Sequence, residues 1–366
     1  IDYSTGVEAF LLEPQSTNLV TYSEDFSQSY WTKSGASVTS GFVSPDGTLN
    51  AFKLVEGTST GEHFIQAIGI TTIVDKYSFT LFAKAGESSK LRVRGANYFS
   101  NVTGADFDLI AKTATNLSKG VNASIVEMSD GWFKCTFTSS DNAFAGPSAH
   151  YRVYLLDDLG STSYQGDGTS GVYIYGAQVE QQSYPTSYIP TDGATATRNQ
   201  ENCVDATPTI NSEEGVLYFE ASALADDVVD KRIAISDGTM NNYVSIGYSR
   251  FAGNIIAEII SGGVLQTVGW GATGVNKTNN NKFALSWGGG TMKFYVNGNQ
   301  TNIENVTSPI GLNVLDFSNA VHTLNMYSNT KDLQVFDKAL ADVQLEALTS
   351  FSSFTEMANA LNYTII

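Results

Sequence analysis

The chain reads as all-β: two β-sandwich (jelly-roll) domains in tandem with a short C-terminal helix. Three observations predict this. Runs of β-branched and aromatic residues with period-2 alternation recur along the chain, separated by Gly, Asn, Asp and Ser. Glycine is abundant, 33 of 366 residues, and charged residues are only 16%, whereas helical periodicity is nearly absent before the last thirty residues or so. A chain of 366 residues is also long enough to bury two separate cores.

The elements follow in order. Leu11-Leu12 and Leu19-Val20 around Pro14 predict an opening edge strand and turn of the first domain, residues 1–198. Phe52, Leu54 and Val55 form a short strand after the Ser44-Pro45-Asp46-Gly47 turn. Tyr77 to Lys84 alternates clearly, and Leu91-Arg92-Val93-Arg94 alternates strictly, with both arginines on the solvent or ligand face. Phe107 to Ile110 and Val121 to Ile125 are further strands. Gly131 to Thr138 is expected to pair with Tyr151 to Leu155. Val172 to Tyr175 closes the domain before Gly176 breaks the run. Pro185 and Pro190 push Tyr184 and Ile189 toward extended geometry, so 183–191 is expected to be a stiff strap pressing Tyr184, Tyr188 and Ile189 onto a neighbouring surface.

Residues 199–212 are polar and read as a linker. The second domain, 213–350, opens with Gly215 to Glu220 and includes Ile233 to Ser236, Tyr243 to Tyr248 and Ile255 to Ile260. Lys282 to Trp287, Gly288-Gly289-Gly290 and Met292 to Val296 form a hairpin whose far end turns at Asn297-Gly298. Leu340, Val343, Ala347 and Leu348 recur at helical spacing, and Ser353 with Glu356 fits a capping box in the 351–366 tail.

Two stretches resemble known families. Gly176-Ala-Gln-Val-Glu-Gln-Gln-Ser-Tyr-Pro-Thr-Ser-Tyr-Ile-Pro-Thr, with Leu11-Leu-Glu-Pro-Gln-Ser-Thr-Asn-Leu-Val-Thr-Tyr-Ser-Glu-Asp-Phe, resembles tail-fibre and virion structural proteins of tailed bacteriophages. In that family a jelly roll similar to a carbohydrate-binding module ends in the strap. The hairpin ending in Phe294-Tyr-Val-Asn-Gly, and Leu333-Gln-Val-Phe-Asp-Lys-Ala-Leu, resemble the laminin-G and concanavalin A-like sandwiches. The resemblance implies a virion-surface protein made in the host cytoplasm, with host surface glycans and other virion proteins as partners. It also implies a homo-oligomer, a trimer being one possibility. The sequence starts at Ile1 without a methionine, so an upstream segment bearing the virion anchor is expected.

Charge narrows the partners. The formal net charge is −17, and both halves share it: 20 acidic and 12 basic residues up to residue 200, then 17 and 8. Nucleic acid and anionic membranes are excluded as partners, because phosphates need a positive surface. No run is apolar for long enough to span a bilayer as a helix. The same acidity makes neutral glycans easier ligands than sulfated ones. Cys135 alternates with Phe133 and Phe137 as a core residue and Cys203 lies in the polar segment; two thiols in this length do not make a disulfide framework.

Catalytic signals are sparse. Asp157-Asp158, Glu213-Glu214 and Asp226-Asp227 are adjacent pairs whose members point to opposite faces on a strand, unlike a glycosidase acid/base pair. His63, His150 and His322 are isolated in sequence, and no nucleophile elbow is present. The chain is therefore read as non-enzymatic and without a cofactor, a structural calcium excepted. Sandwiches of both resembled families often hold one, and Asp106 and Asp108, two apart on an extended segment, are the candidates. Trp31, Tyr98, Tyr151, Tyr154 and Trp270 are candidate sugar-stacking rings, with Asn280 supplying an amide for hydroxyls; Trp132 and Trp287 read as core. The expected function is attachment to host glycans. The alternatives are a purely structural decoration protein, the carbohydrate-binding portion of a secreted polysaccharide-degrading enzyme, and a glycan lyase or hydrolase with distant carboxylates.

Overall fold

The computed structural model describes residues 9–73, 75–96, 102–118, 121–139, 146–251, 253–270 and 274–351. The chain is all-β apart from one helix and a single turn of 3-10 helix among these residues. It divides into two compact units, Gln15–Asn199 and a second made of the residues up to Pro14 with those from Gln200 on.

The middle unit is a sandwich of two antiparallel six-stranded sheets among the described residues. The first sheet runs, edge to edge, Thr113–Asn116, Val102–Asp108, Lys90–Ala96, Gly146–Leu155, Phe64–Thr72 and Trp31–Ser34. The second runs Asn122–Glu127, Trp132–Thr138, Ser78–Ala85, Gly171–Glu180, Ala51–Glu56 and Ala36–Phe42. The chain crosses repeatedly from one sheet to the other, as in a jelly roll. Trp132–Thr138 therefore lies between Asn122–Glu127 and Ser78–Ala85, while Tyr151 to Leu155 pairs in the first sheet. The expected pairing of these two segments is thus corrected: both alternate well, but they belong to opposite sheets. Ile65, Leu81, Val93, Phe107, Phe137, Tyr151 and Ile174 fill the space between the layers.

The outer face of the second sheet is closed by the chain itself. Tyr188 of the strap packs on Phe82 and Tyr175, with ring centroids 5.6 Å apart in each case. Its hydroxyl donates to Ser23 Oγ at 2.7 Å. The fully buried Glu180 carboxylate accepts from Ser16 Oγ at 2.6 Å and from the Thr186 N–H at 3.1 Å, fixing both ends of the clasp. The two stretches that carry the bacteriophage resemblance are therefore bound to each other.

The other unit is a sandwich of a six-stranded and a five-stranded sheet among the described residues. Asn281–Gly288 and Thr291–Val296 form the expected hairpin, and Asn297 and Gly298 both take positive φ at its far turn, the geometry a two-residue hairpin loop requires. The helix Asp342–Thr349 lays Leu345 and Leu348 on Val216, Tyr218, Ala284 and Tyr295, covering the outer face of the six-stranded sheet. Val343, expected on its apolar stripe, is exposed. The Ser353–Glu356 capping box lies outside the described residues.

Two boundaries differ from the expectation. Phe10–Leu11 pairs with Ser328–Phe336, and Leu12 enters the core with Leu217 and Phe219, so the opening strand serves the C-terminal unit. The 199–212 segment is pinned rather than free: the Phe317 N–H donates to the Cys203 carbonyl at 2.8 Å, and Ala206 bridges Leu315. Polar composition hid this because the anchoring is by backbone.

Candidate functional site

The first sheet of the middle unit leaves its outer face to polar side chains. Alternation decides which ones: Leu91, Val93, Tyr151 and Val153 go to the core, so Arg92, Arg94, His150, Arg152 and Tyr154 go outward. The register then lines them into rows. One row is Ser34, Phe64, Tyr154, Arg92, Asp106 and Thr115; the next is Thr32, Gln66, Arg152, Arg94 and Gly104. His150 stands in a third row between Ile68 and Ala96. Three of the six arginines in the chain are thus on one face.

Arg152 is held rigidly. Its Nε donates to Gln66 Oε1 at 2.9 Å, its Nη1 donates to the Tyr154 hydroxyl, and its guanidinium lies 4.5 Å above the Phe64 ring centroid. Arg92 is neutralised by Asp106 through two parallel bonds of 2.6 and 2.9 Å, which also hold its pKa above the usual arginine value. Arg94 has no such partner. Its register neighbour is Gly104, where an added Cβ would come within 2.4 Å of the Val93 carbonyl oxygen, so no side chain fits there to meet it. Arg94 Nε and His150 Nδ1 are both buried atoms without a hydrogen-bond partner. Burial, then Arg152 and Arg94, push the His150 pKa below its ordinary value. Arg94 therefore stands on this face without an acceptor or ion pair for its guanidinium among the described residues, beside an Arg152 fixed by neutral partners.

The expected site residues fare differently. Trp31 and Tyr151 are buried core, meeting edge to face at 5.9 Å, with Trp31 Nε1 donating to the Tyr22 carbonyl and the Tyr151 hydroxyl to the Thr80 carbonyl. Neither ring has a free face, which corrects their reading as stacking platforms. Tyr154 points outward, but only 1% of it is exposed because Arg152 covers it. It orients the guanidinium instead. Tyr98 lies outside the described residues. Trp270 ends a strand opposite Ile256, and its side chain is likewise outside the description. Asn280 is half-buried and donates to Glu220. Asp106 gives both oxygens to Arg92, and Asp108 caps the N–H groups of Ile110 and Ala111, so the pair expected to hold calcium is already committed.

Sequence reading missed Gln66, His150 and Arg152, whose meeting depends on register; period-2 alternation around Tyr151 was the available signal. It also missed a grouping in the C-terminal unit. Asp205, Asp316 and His322 bring one ligand atom each within 4.8 Å of one another. Asp316 is buried and accepts from the Asp205 N–H at 2.7 Å, with His322 Nε2 at 3.4 Å. These residues have the donor types to hold a divalent cation. Both cysteines are free thiols, and burial pushes the Cys135 thiol far above its ordinary value.

No protein-family model and no curated protein matches the chain. Among solved structures it is similar to the carbohydrate-binding module CBM40 of the Ruminococcus gnavus IT-sialidase bound to α2,3 sialyllactose, at 16% identity over 38% of this chain and 84% of that one, with a TM-score of 0.33. It is also similar to a SAP-like pentraxin from Limulus polyphemus, at 13% identity over 41% and 76%, TM-score 0.33. A galectin of Caenorhabditis elegans aligns at 13% identity over 36% and 89%, TM-score 0.28.

Proposed function

We propose that the chain is a non-catalytic glycan-binding protein whose middle unit holds saccharide on the outer face of its first sheet. One observation carries this: on an outward sheet face, Arg94 has no acceptor for its guanidinium among the described residues and stands beside Arg152, which Gln66 and Tyr154 hold in place. Saccharides are dense in hydroxyl and ring oxygens that satisfy such donors. The opposite outer face of this unit is closed by the strap, so the arrangement favours one side of the sandwich. Asp106 is ion-paired and Asp108 accepts from backbone, an arrangement suited to holding rather than to acid–base cleavage. The strap resemblance supports the finer reading that the protein stands on a bacteriophage particle and attaches it to host glycans.

A glycan array with the intact chain, read beside immunogold labelling of particles, tests both levels. Saccharide retention that is lost on changing Gln66 and Arg152 together, with particles labelled at an appendage, is expected. An array without retained saccharide overturns the binding reading, and retained saccharide with unlabelled particles overturns only the virion reading.

A further inference from the structure

The sign of charge on this face runs against that of the chain. The formal net charge is −17, yet Arg94 and Arg152 are direct cross-strand partners on the same face of adjacent antiparallel strands. Like charges so placed repel. One row away Asp106 is set against Arg92 and neutralises it. It does not do so for Arg94, because Gly104 occupies the matching position and its backbone approaches too closely for any side chain. Arg152 is bonded only to neutral groups, Gln66 and Tyr154. Neither Arg94 nor Arg152 has an ion pair among the described residues. The two cations therefore form a positive strip, with His150 beside them and no ion-pair partner for either arginine among the described residues.

We propose that the ligand of this face is an anionic saccharide, whose carboxylate or sulfate group lies between Arg94 and Arg152 while neighbouring hydroxyls reach His150 and Gln66. This rests on the glycan-binding reading and specifies its ligand class. A planar guanidinium already held by Gln66 and Tyr154 is preorganised to bind an oxyanion, and an anion placed there relieves the repulsion between the two arginines. It revises the expectation, drawn from net charge, that neutral glycans are the easier ligands: the overall acidity is general, whereas this strip is locally positive.

The test is calorimetric titration of the intact chain with oligogalacturonate, a sulfated carrageenan oligosaccharide and a neutral dextran oligosaccharide, each at low and high salt. Binding of an anionic oligosaccharide that weakens with salt is expected, and which of the two binds identifies the acidic group. Arg94→Gln should weaken it about tenfold or more, as loss of a charged hydrogen bond does. The melting temperature should hold steady or rise, because the variant removes a repulsion. Arg94→Glu, which places a counter-charge opposite Arg152, should abolish anion binding and serves as a second, folded control. Preference for the neutral oligosaccharide, or anion binding unchanged in Arg94→Gln, overturns the proposal while leaving glycan binding intact. Absence of binding to all three overturns the proposal, and overturns the glycan reading as well where the array also retains no saccharide.

Discussion

Asn18 is fully buried and uses its whole amide on backbone. Its Nδ2 donates to the Ala177 and Ile189 carbonyls at 3.1 and 2.9 Å, and its Oδ1 accepts from the Val20 and Val179 N–H groups at 3.1 and 3.2 Å. Asn18→Ala should cost about 3 kcal/mol or more in urea denaturation, since several buried polar groups lose their partners at once. Gly176 sits at φ +65°, and a Cβ there would meet Phe82 Cδ2 at 2.7 Å. Gly176→Ala should therefore destabilise by about 1–3 kcal/mol, read by the same method. Both residues fall in the stretches that carry the bacteriophage resemblance. At this scale the sequence marked the right residues but not their role, because a polar side chain shows no sign of being buried until its partners are known. Trp31 and Tyr151 show the converse: a large ring in an alternating run has two possible faces, and only the pairing decides which one it takes.

Strand alternation was legible, sheet membership was not. Leu91-Arg92-Val93-Arg94 announced its two outward arginines, but the different fates of Arg92 and Arg94 follow from register against Val102–Asp108, which sets Asp106 opposite one and Gly104 opposite the other. Asp106→Asn should lower stability by only about 1 kcal/mol or less, because the ion pair is roughly a quarter exposed and screened by solvent. Saccharide affinity should be retained or improved in that variant, since it leaves Arg92 without its carboxylate and the face more positive. The Trp132–Thr138 strand was placed against the wrong partner for the same reason: hydrophobic period identifies a strand's inner face but not which layer of a jelly roll holds it. The helix Asp342–Thr349 was legible from spacing, and it is anchored chiefly by Leu345, which is fully buried. Leu345→Ala should cost about 2–5 kcal/mol, checked by thermal melting of the C-terminal unit.

At the scale of the whole chain, two sandwiches were predicted from composition and turn spacing, and two are present. Their division was less legible, because a two-residue strand near the start carries no sequence mark of its distant partner. Phe10–Leu11 pairs with Ser328–Phe336 and Leu12 is buried beside it, so a chain beginning at Gln15 should show a lowered melting transition for the C-terminal unit and an unchanged one for the middle unit in differential scanning calorimetry. Net charge was the least informative property. It described the surface on average and concealed one face where the cations gather.

The most direct measurement is amide shift mapping of the intact, isotope-labelled chain during titration with oligogalacturonate. Perturbations clustered at Gln66, Arg94, His150 and Arg152, and absent from the same titration of Arg94→Glu, are predicted. Saturable binding that leaves these amides unmoved, or moves only residues of the C-terminal unit, would contradict a positive saccharide-binding face on the middle sandwich.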